Sequence, residues 1–471
     1  MRRRGFIAGA TALCAAPALG VRGQAGDAGG DLLEAARALA ARPHEAHRAP
    51  LPAPFADLDY DAYRGIRPRR GQAAHLAIGP GYEVDLLPPG LYFPDPVGIE
   101  IPEGDGGGFR EVAFSPELFS FEPRYFDDVP DTAPGAGFSG LRLRHPLGDA
   151  RVMDEVLVVQ GASYFRAIGR AMVYGLSARA VALGTGRPEP EEFPRFTRLR
   201  VHRPDADGAA RIEGVIDSPA LAGHLEMTLR PGAATRMRIA VTLIPRRDIA
   251  DAGVAPLTSM YLKGPMRAAV SDDFRPRVHD SDLLFIRNGA GESLWRPIAN
   301  PARTEISSFL DDGPVSFGLF QTPRRYAAFE DTEARYHDRP SAIVRPAGDW
   351  GRGAVVLVEI PTDTEFMDNI VAFWRPERPL AAGREYRFDY DLIWTRSAPE
   401  VAPRRAILQS RSGREHDRPG TRRFVIDLAG PPEGLSPEVS ARGGTEISGL
   451  AIVPLPGGRG TRVTFLMTPE D

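Results

Sequence analysis

The chain has 471 residues, of which 42% are hydrophobic and 8% aromatic, with a formal net charge of −4 and 50 Gly and 45 Pro. This is the composition of a globular chain with room for about two or three domains. Positive charge is carried almost wholly by Arg, with Lys263 the only lysine, and no segment is strongly basic with interleaved aromatics, which excludes nucleic acid as a partner.

The N-terminus, "MRRRGFIAGATALCAAPALGVRGQAG", joins an Arg-rich start to a short apolar run and small residues, the pattern of an export signal over residues 1–25. It is too short and too rich in Ala and Gly to span a membrane. Arg3 and Arg4 before Gly5, Phe6 and Ile7 match the twin-arginine type, so the mature protein is expected in a periplasm. Cys14, the only cysteine, follows Leu13 where a lipoprotein signal carries a small residue. The mature chain is therefore expected to carry no thiol, no disulfide and no lipid anchor.

"DLLEAARALAARP" predicts a helix: Asp31 can cap it, Leu32, Ala36 and Leu39 share a face, and Pro43 follows its end. The Pro- and Ala-rich residues 42–54 read as an extended arm. Period-2 alternation then predicts strands in "LEMTLRP", "RMRIAVTLIP" and "REYRFDYDLIW". Strands with one apolar face need a cover, and the expected fold class is therefore all-β, a large antiparallel sandwich over residues 26–397. "TRSAPEVAPRR" reads as a linker, and "RRFVIDLAG" with "TRVTFLM" predicts a small all-β domain over residues 404–471.

Between the strands lies "FRPRVHDSDLLFIRNGAGESLWRPIANP", which sets His279, Asp280, Ser281 and Asp282 side by side. Four readings fit: an Asx turn, a solvated acidic loop, an oxygen-ligand metal site, or one half of a catalytic carboxylate pair. A metal is the weakest, since no EF-hand Gly and distal Glu follow and no His pair stands at zinc spacing. No metal and no cofactor is expected. "GDWGRG" and "GAGES" lead into no capped helix and are expected to be turns. A second acidic segment, "TDTEFMDNIVAFW", supplies Glu365 and Asp368 ahead of an apolar strand. Burial near Phe366, Phe373 and Trp374 would keep a carboxyl there protonated. "DTEARYHDRP" offers Arg335 and Tyr336 either as a salt-bridged strand end or as sugar contacts, Tyr336 combining a ring face with a hydroxyl. Trp295 and Trp350 stand beside Gly-rich turns, where they could be platforms or core; Trp394 alternates within a strand and is expected in the core. Tyr164, Phe165 and Arg166 in "GASYFRAIG" could form another wall of a cleft.

Long ordered blocks, among them residues 161–186, 191–204, 244–264, 274–301, 329–376 and 420–428, resemble the bacterial periplasmic glucan biosynthesis protein D/G family. The twin-arginine signal resembles its D branch. The resemblance implies a galactose-mutarotase-like β-sandwich with an open cleft, followed by a small immunoglobulin-like β-sandwich. It also implies a role in making osmoregulated periplasmic glucans and an inverting hydrolase or transglycosylase activity on β-1,2-glucan. Asp368 matches the family's general acid and Asp280 its base, which acts through a water relay. The substrate-binding residues expected are Tyr336, Trp295, Trp350, Arg335, Glu365, Asp282 and Tyr164. A cleft that only holds nascent glucan for a membrane-bound glucan synthase is the other reading. The oligomeric state stays open, a homodimer being one arrangement the chain allows. The small domain stops at "TRVTFLMTPED" where relatives continue through further strands; an incomplete sandwich would expose a strand edge, so either a shortened domain or a partner that covers the edge is expected.

Overall fold

The computed structural model describes residues 30–46, 50–104, 107–266, 272–397 and 406–470. The export signal expected over residues 1–25 lies outside them. Helix Leu32–Ala40 forms as expected, with the Asp31 side chain accepting from Leu33 N at 2.8 Å. It seats Leu32 and Ala36 on Val215 and Ile244.

Two sheets of eleven strands each make the large domain. The first runs from His75–Gly79 through Tyr82–Leu87, Gly140–His145, Asp154–Gln160 and Tyr164–Ala167 to Ser177–Arg179. It continues through Ala252–Ser259, Ile370–Pro376 and Gly353–Glu359 to the edge strand Glu305–Asp311, with Val181–Leu183 also paired to Ala252–Ser259. The second centres on Ser341–Ala347, Tyr386–Thr395, Thr235–Pro245 and Leu221–Arg230. The three strands predicted from alternation are the last three of these. Pairing is antiparallel except between Gly98–Glu103 and Arg195–Val201.

Alternation builds core and cleft from the same strands, because successive side chains leave a strand on opposite faces. Leu86, Leu141, Val159 and Phe165 stand opposite one another across four strands of the first sheet. All four are buried in the main core, with Leu225, Ile239, Val241 and Leu392 of the second sheet in the same cluster. Each fully buried Leu or Ile contributes about 1.5–3 kcal/mol. One residue away, the partners are His75, Asp85, Arg142, Val158 and Arg166. This row turns outward: its first four members line an open groove of about 960 Å³ together with Glu83, Arg144, Glu155 and Gln160.

The small domain is one four-stranded antiparallel sheet, in the order Ile407–Arg414, Arg422–Leu428, Thr461–Thr468, Glu446–Pro454. This corrects the expected immunoglobulin-like sandwich: among the described residues no second sheet covers it. Phe424 and Phe465 stack at 5.2 Å on the sheet, and Leu450, Ile452 and Val453 are exposed. Ser412 N donates to Pro265 O at 3.1 Å, tying the domain to the sandwich.

Candidate functional site: a carboxylate pair and its arginines

Asp280 and Asp368 are 88 positions apart in the chain, and two pairings bring them together. Tyr261–Lys263 pairs with Val278–His279, setting Tyr261 against His279. Asn369, fully buried, accepts from Tyr261 N at 2.8 Å and donates to Tyr261 O at 3.1 Å and Ile360 O at 2.8 Å. The amide of Asn369 thus fixes the residue before it, Asp368, beside the segment that carries Asp280.

The two carboxyls have different surroundings. Asp280 is 3% exposed, its N–H donates to Met260 O at 2.8 Å, and its Oδ1 accepts from Arg339 Nη1. Burial pushes the Asp280 carboxyl up, against the pull of Arg339, and the charge of Asp368 pushes it further. The Asp368 side chain keeps 34% of its surface exposed, and its Oδ2 lies 3.4 Å from Arg166 Nη2. The dry apolar wall expected around Asp368 is absent, because Phe366 is 92% exposed while Phe373 and Trp374 are buried among other core residues.

An ordered relay of charges backs the pair. Arg339 lies over the Tyr336 ring at 4.3 Å. Tyr336, buried, donates its hydroxyl to Glu365, and Glu365 takes a two-point contact from Arg275 at 2.9 and 3.1 Å. Burial raises Glu365, but the bonds from Arg275 and Tyr336 outweigh it and hold the carboxyl below its usual range. Arg275 also reaches Asp331 at 2.9 Å. Glu365 and Tyr336 are therefore a support behind Asp280. Tyr336 lacks the exposed ring face expected of a sugar contact.

The remaining expected residues divide. Tyr164 belongs to the site: it shares a strand face with Arg166, the ion-pair partner of Asp368, and its ring lies 5.2 Å below the Arg179 guanidinium and 6.5 Å from the half-exposed ring of Phe193. Trp350 is a correction, since its ring is buried edge-on to Phe388 and Tyr390 at 5.8 and 5.9 Å. Trp295 packs edge-on to Phe285 in a satellite cluster of the second sheet, away from the expected platform role. Arg335 pairs with Asp338 at 2.8 Å, the salt-bridged alternative. Asp282, expected to bind substrate, does not share a strand face with Asp280, because residues 280–282 form no strand. Its carboxylate accepts from Thr322 N at 2.8 Å and from the Thr322 hydroxyl, and it lines a groove against the small domain. His279 is buried between Tyr261, stacked at 5.1 Å, and Phe329; burial pushes its imidazole down to about 4. Ser281 accepts from Ser259 Oγ at 2.9 Å. Trp394 is fully buried, as expected, and the Gly-rich segments at 289–292 and 348–352 contain no helix.

Arg275, Arg179 and Phe193 went unremarked in the sequence. Arg275 stands within the acidic stretch, yet a single Arg beside Asp273 reads as a local pair, which it also makes at 2.9 Å.

Fold and site together define a two-sheet β-sandwich protein that carries a carboxylate pair backed by arginines. The family model described as periplasmic glucan biosynthesis protein, MdoG, matches residues 29–471, and the chain belongs to that family. Glucans biosynthesis protein G of Vibrio cholerae serotype O1 (strain ATCC 39541 / Classical Ogawa 395 / O395) is 42% identical over 445 residues, covering 93% of this chain and 80% of that protein. The protein of the same name from Shewanella frigidimarina is 41% identical over 449 residues, covering 93% and 79%. These relatives point to the G branch, which overturns the expected leaning towards the D branch. Among solved structures, the Slr1438 protein from Synechocystis aligns with 54% of this chain at a TM-score of 0.26 and 8% identity, a likeness too slight to carry an argument. The family places the protein in periplasmic glucan biosynthesis.

Proposed function

We propose that this cleft cuts or rearranges β-1,2-linked glucan by an inverting mechanism, with Asp368 as general acid and Asp280 as base through water. One observation carries the reading: the Asp280 N–H is bonded to Met260 O and the Asn369 amide to the backbone of Tyr261, so two adjacent residues of one segment hold Asp280 and Asp368, far apart in sequence, in the same region. An acid must touch the leaving oxygen, so it has to be partly exposed, as Asp368 is. A base that works through water can be buried, as Asp280 is, and a carboxylate whose pKa is raised accepts a proton more readily. Tyr164, Phe193 and the exposed Phe366 offer ring faces for the apolar sides of sugars.

Purified protein incubated with linear β-1,2-glucan, followed by chromatography and by NMR of the newly formed anomer, tests this. Shortened or rearranged products of inverted configuration are expected, and unchanged glucan sinks the reading. A binding role, holding nascent glucan for a membrane-bound synthase, is favoured by one feature: Asp368 already has an ion-pair partner in Arg166, as a hydroxyl-binding carboxylate would. Retained affinity without turnover would select it.

A further inference from the structure

A second polar groove, of about 670 Å³, lies between the sandwich and the small domain. Arg277, Arg324 and Arg325 line it from the sandwich, and Arg411, Arg459 and Arg462 from the small domain, against only Asp282 and Asp427. Both carboxylates are already engaged. Asp427 is held by Arg462 at 2.7 and 3.0 Å and by Arg411 at 2.8 Å, and Asp282 accepts from Thr322.

Four guanidiniums therefore face the groove with no carboxylate in ion-pair contact among the described residues. Arg277 reaches only Ala328 O, at 3.5 Å. Arg324 donates to Ser341 Oγ at 2.7 Å and to Arg339 O, Arg459 donates to Pro456 O at 3.0 Å, and Arg325 is exposed. The Nε groups of Arg277, Arg324 and Arg411 are buried and meet no acceptor. Burial lowers Arg277 against the pull of Asp282, with Arg411 adding repulsion, and brings Arg324 down to about 10, with Arg396 adding to it against the pull of Asp282 and Asp338. Guanidiniums held together at such a cost, with unfilled donors, match an oxyanion, whose oxygens accept several charge-assisted bonds at once.

We propose that this groove binds an oxyanion of the phosphate class, which bridges the two domains. The proposal is independent of the carboxylate pair and of any activity there. The phosphate could be free or esterified to a larger molecule, since both present the same oxygens.

Calorimetric titration of the mature protein with inorganic phosphate and with methyl phosphate, at ionic strength matched with chloride, tests it. Saturable phosphate binding is expected, weakened roughly tenfold by Arg277→Gln and by Arg459→Gln, as for one lost charge-assisted bond. Arg459 is on an exposed loop, so its variant tests the groove without risk to the core. Arg352→Gln, in a different pocket, is expected to bind like the unaltered chain. Methyl phosphate binding as well as phosphate supports the groove with an esterified ligand; its exclusion while phosphate binds supports the groove with the free ion. No phosphate binding beyond chloride, or full binding by both the Arg277 and Arg459 variants, would overturn the proposal.

Discussion

At the scale of single residues, Asp280 and Asp368 differ in how they can meet a substrate, and their variants should differ accordingly. Asp368→Asn keeps the shape but cannot deliver a proton, so turnover on β-1,2-glucan is expected to fall by about 10²–10⁴ with glucan affinity retained; unaltered rates would remove Asp368 from the chemistry. Asp280→Asn should lower turnover by a similar factor with little change in KM. Asp282→Asn should cost less, because Asp282 accepts from Thr322 on the side of the interdomain groove; a dead Asp282 variant beside a mild Asp280 variant reverses the assignment. The pH dependence follows from Arg339. As the proposed base, Asp280 has to be ionised to act, so its raised pKa is expected to set an acid limb at higher pH than an ordinary carboxyl would. The guanidinium of Arg339 works against that rise. Arg339→Gln removes the opposing charge and should move the acid limb of kcat up by about 1–3 pH units. A profile that stays in place would show that another group controls the limb.

At the scale of elements, close packing decides what can change. Trp350 stands next to a Gly-rich turn, where sequence allows a platform, but its ring is locked against Trp374, Phe388 and Tyr390. Trp350→Ala is expected to cost about 3–5 kcal/mol of stability in denaturant unfolding, with little effect on KM; a large rise in KM at unchanged stability would restore the platform role. Gly318 lies in the Ser316–Phe320 strand, where an added Cβ would stand 2.3 Å from Ala342 O of the neighbouring strand. Gly318→Ala should therefore destabilise by about 1–3 kcal/mol. The site itself hangs on such local contacts, since the Asn369 side chain reaches three backbone groups and thereby places Asp368. The sequence "MDN" gives no sign of this, because an Asn before an apolar strand looks the same whether it clamps or faces water.

At the scale of the whole molecule, Arg3→Lys with Arg4→Lys should leave the precursor in the cytoplasm, read by cell fractionation; normal export of the double variant would point to the general secretory route. The strands of the sandwich were legible in "LEMTLRP", "RMRIAVTLIP" and "REYRFDYDLIW" because a half-buried strand imposes period 2 on its side chains. The helix after Asp31 was legible through its cap and apolar face. Asp280 and Asp368 were singled out through resemblance and acidic context, and the carboxylate role of each remains a proposal that the structure supports by bringing them together. Tertiary structure alone decided five things. It set one sheet rather than a sandwich in the small domain, because the same alternating strands suit either and only pairing partners distinguish them. It turned the Trp350 ring inward and separated Asp282 from Asp280, since a short bend obeys no alternation. It joined Arg275, Glu365, Tyr336 and Arg339 into a support for Asp280, and it gathered unpaired arginines from two domains into one groove. Periodicity is a property of neighbours along the chain and can be read there, whereas a site built from side chains dozens of positions apart exists only once the sheets have fixed their register.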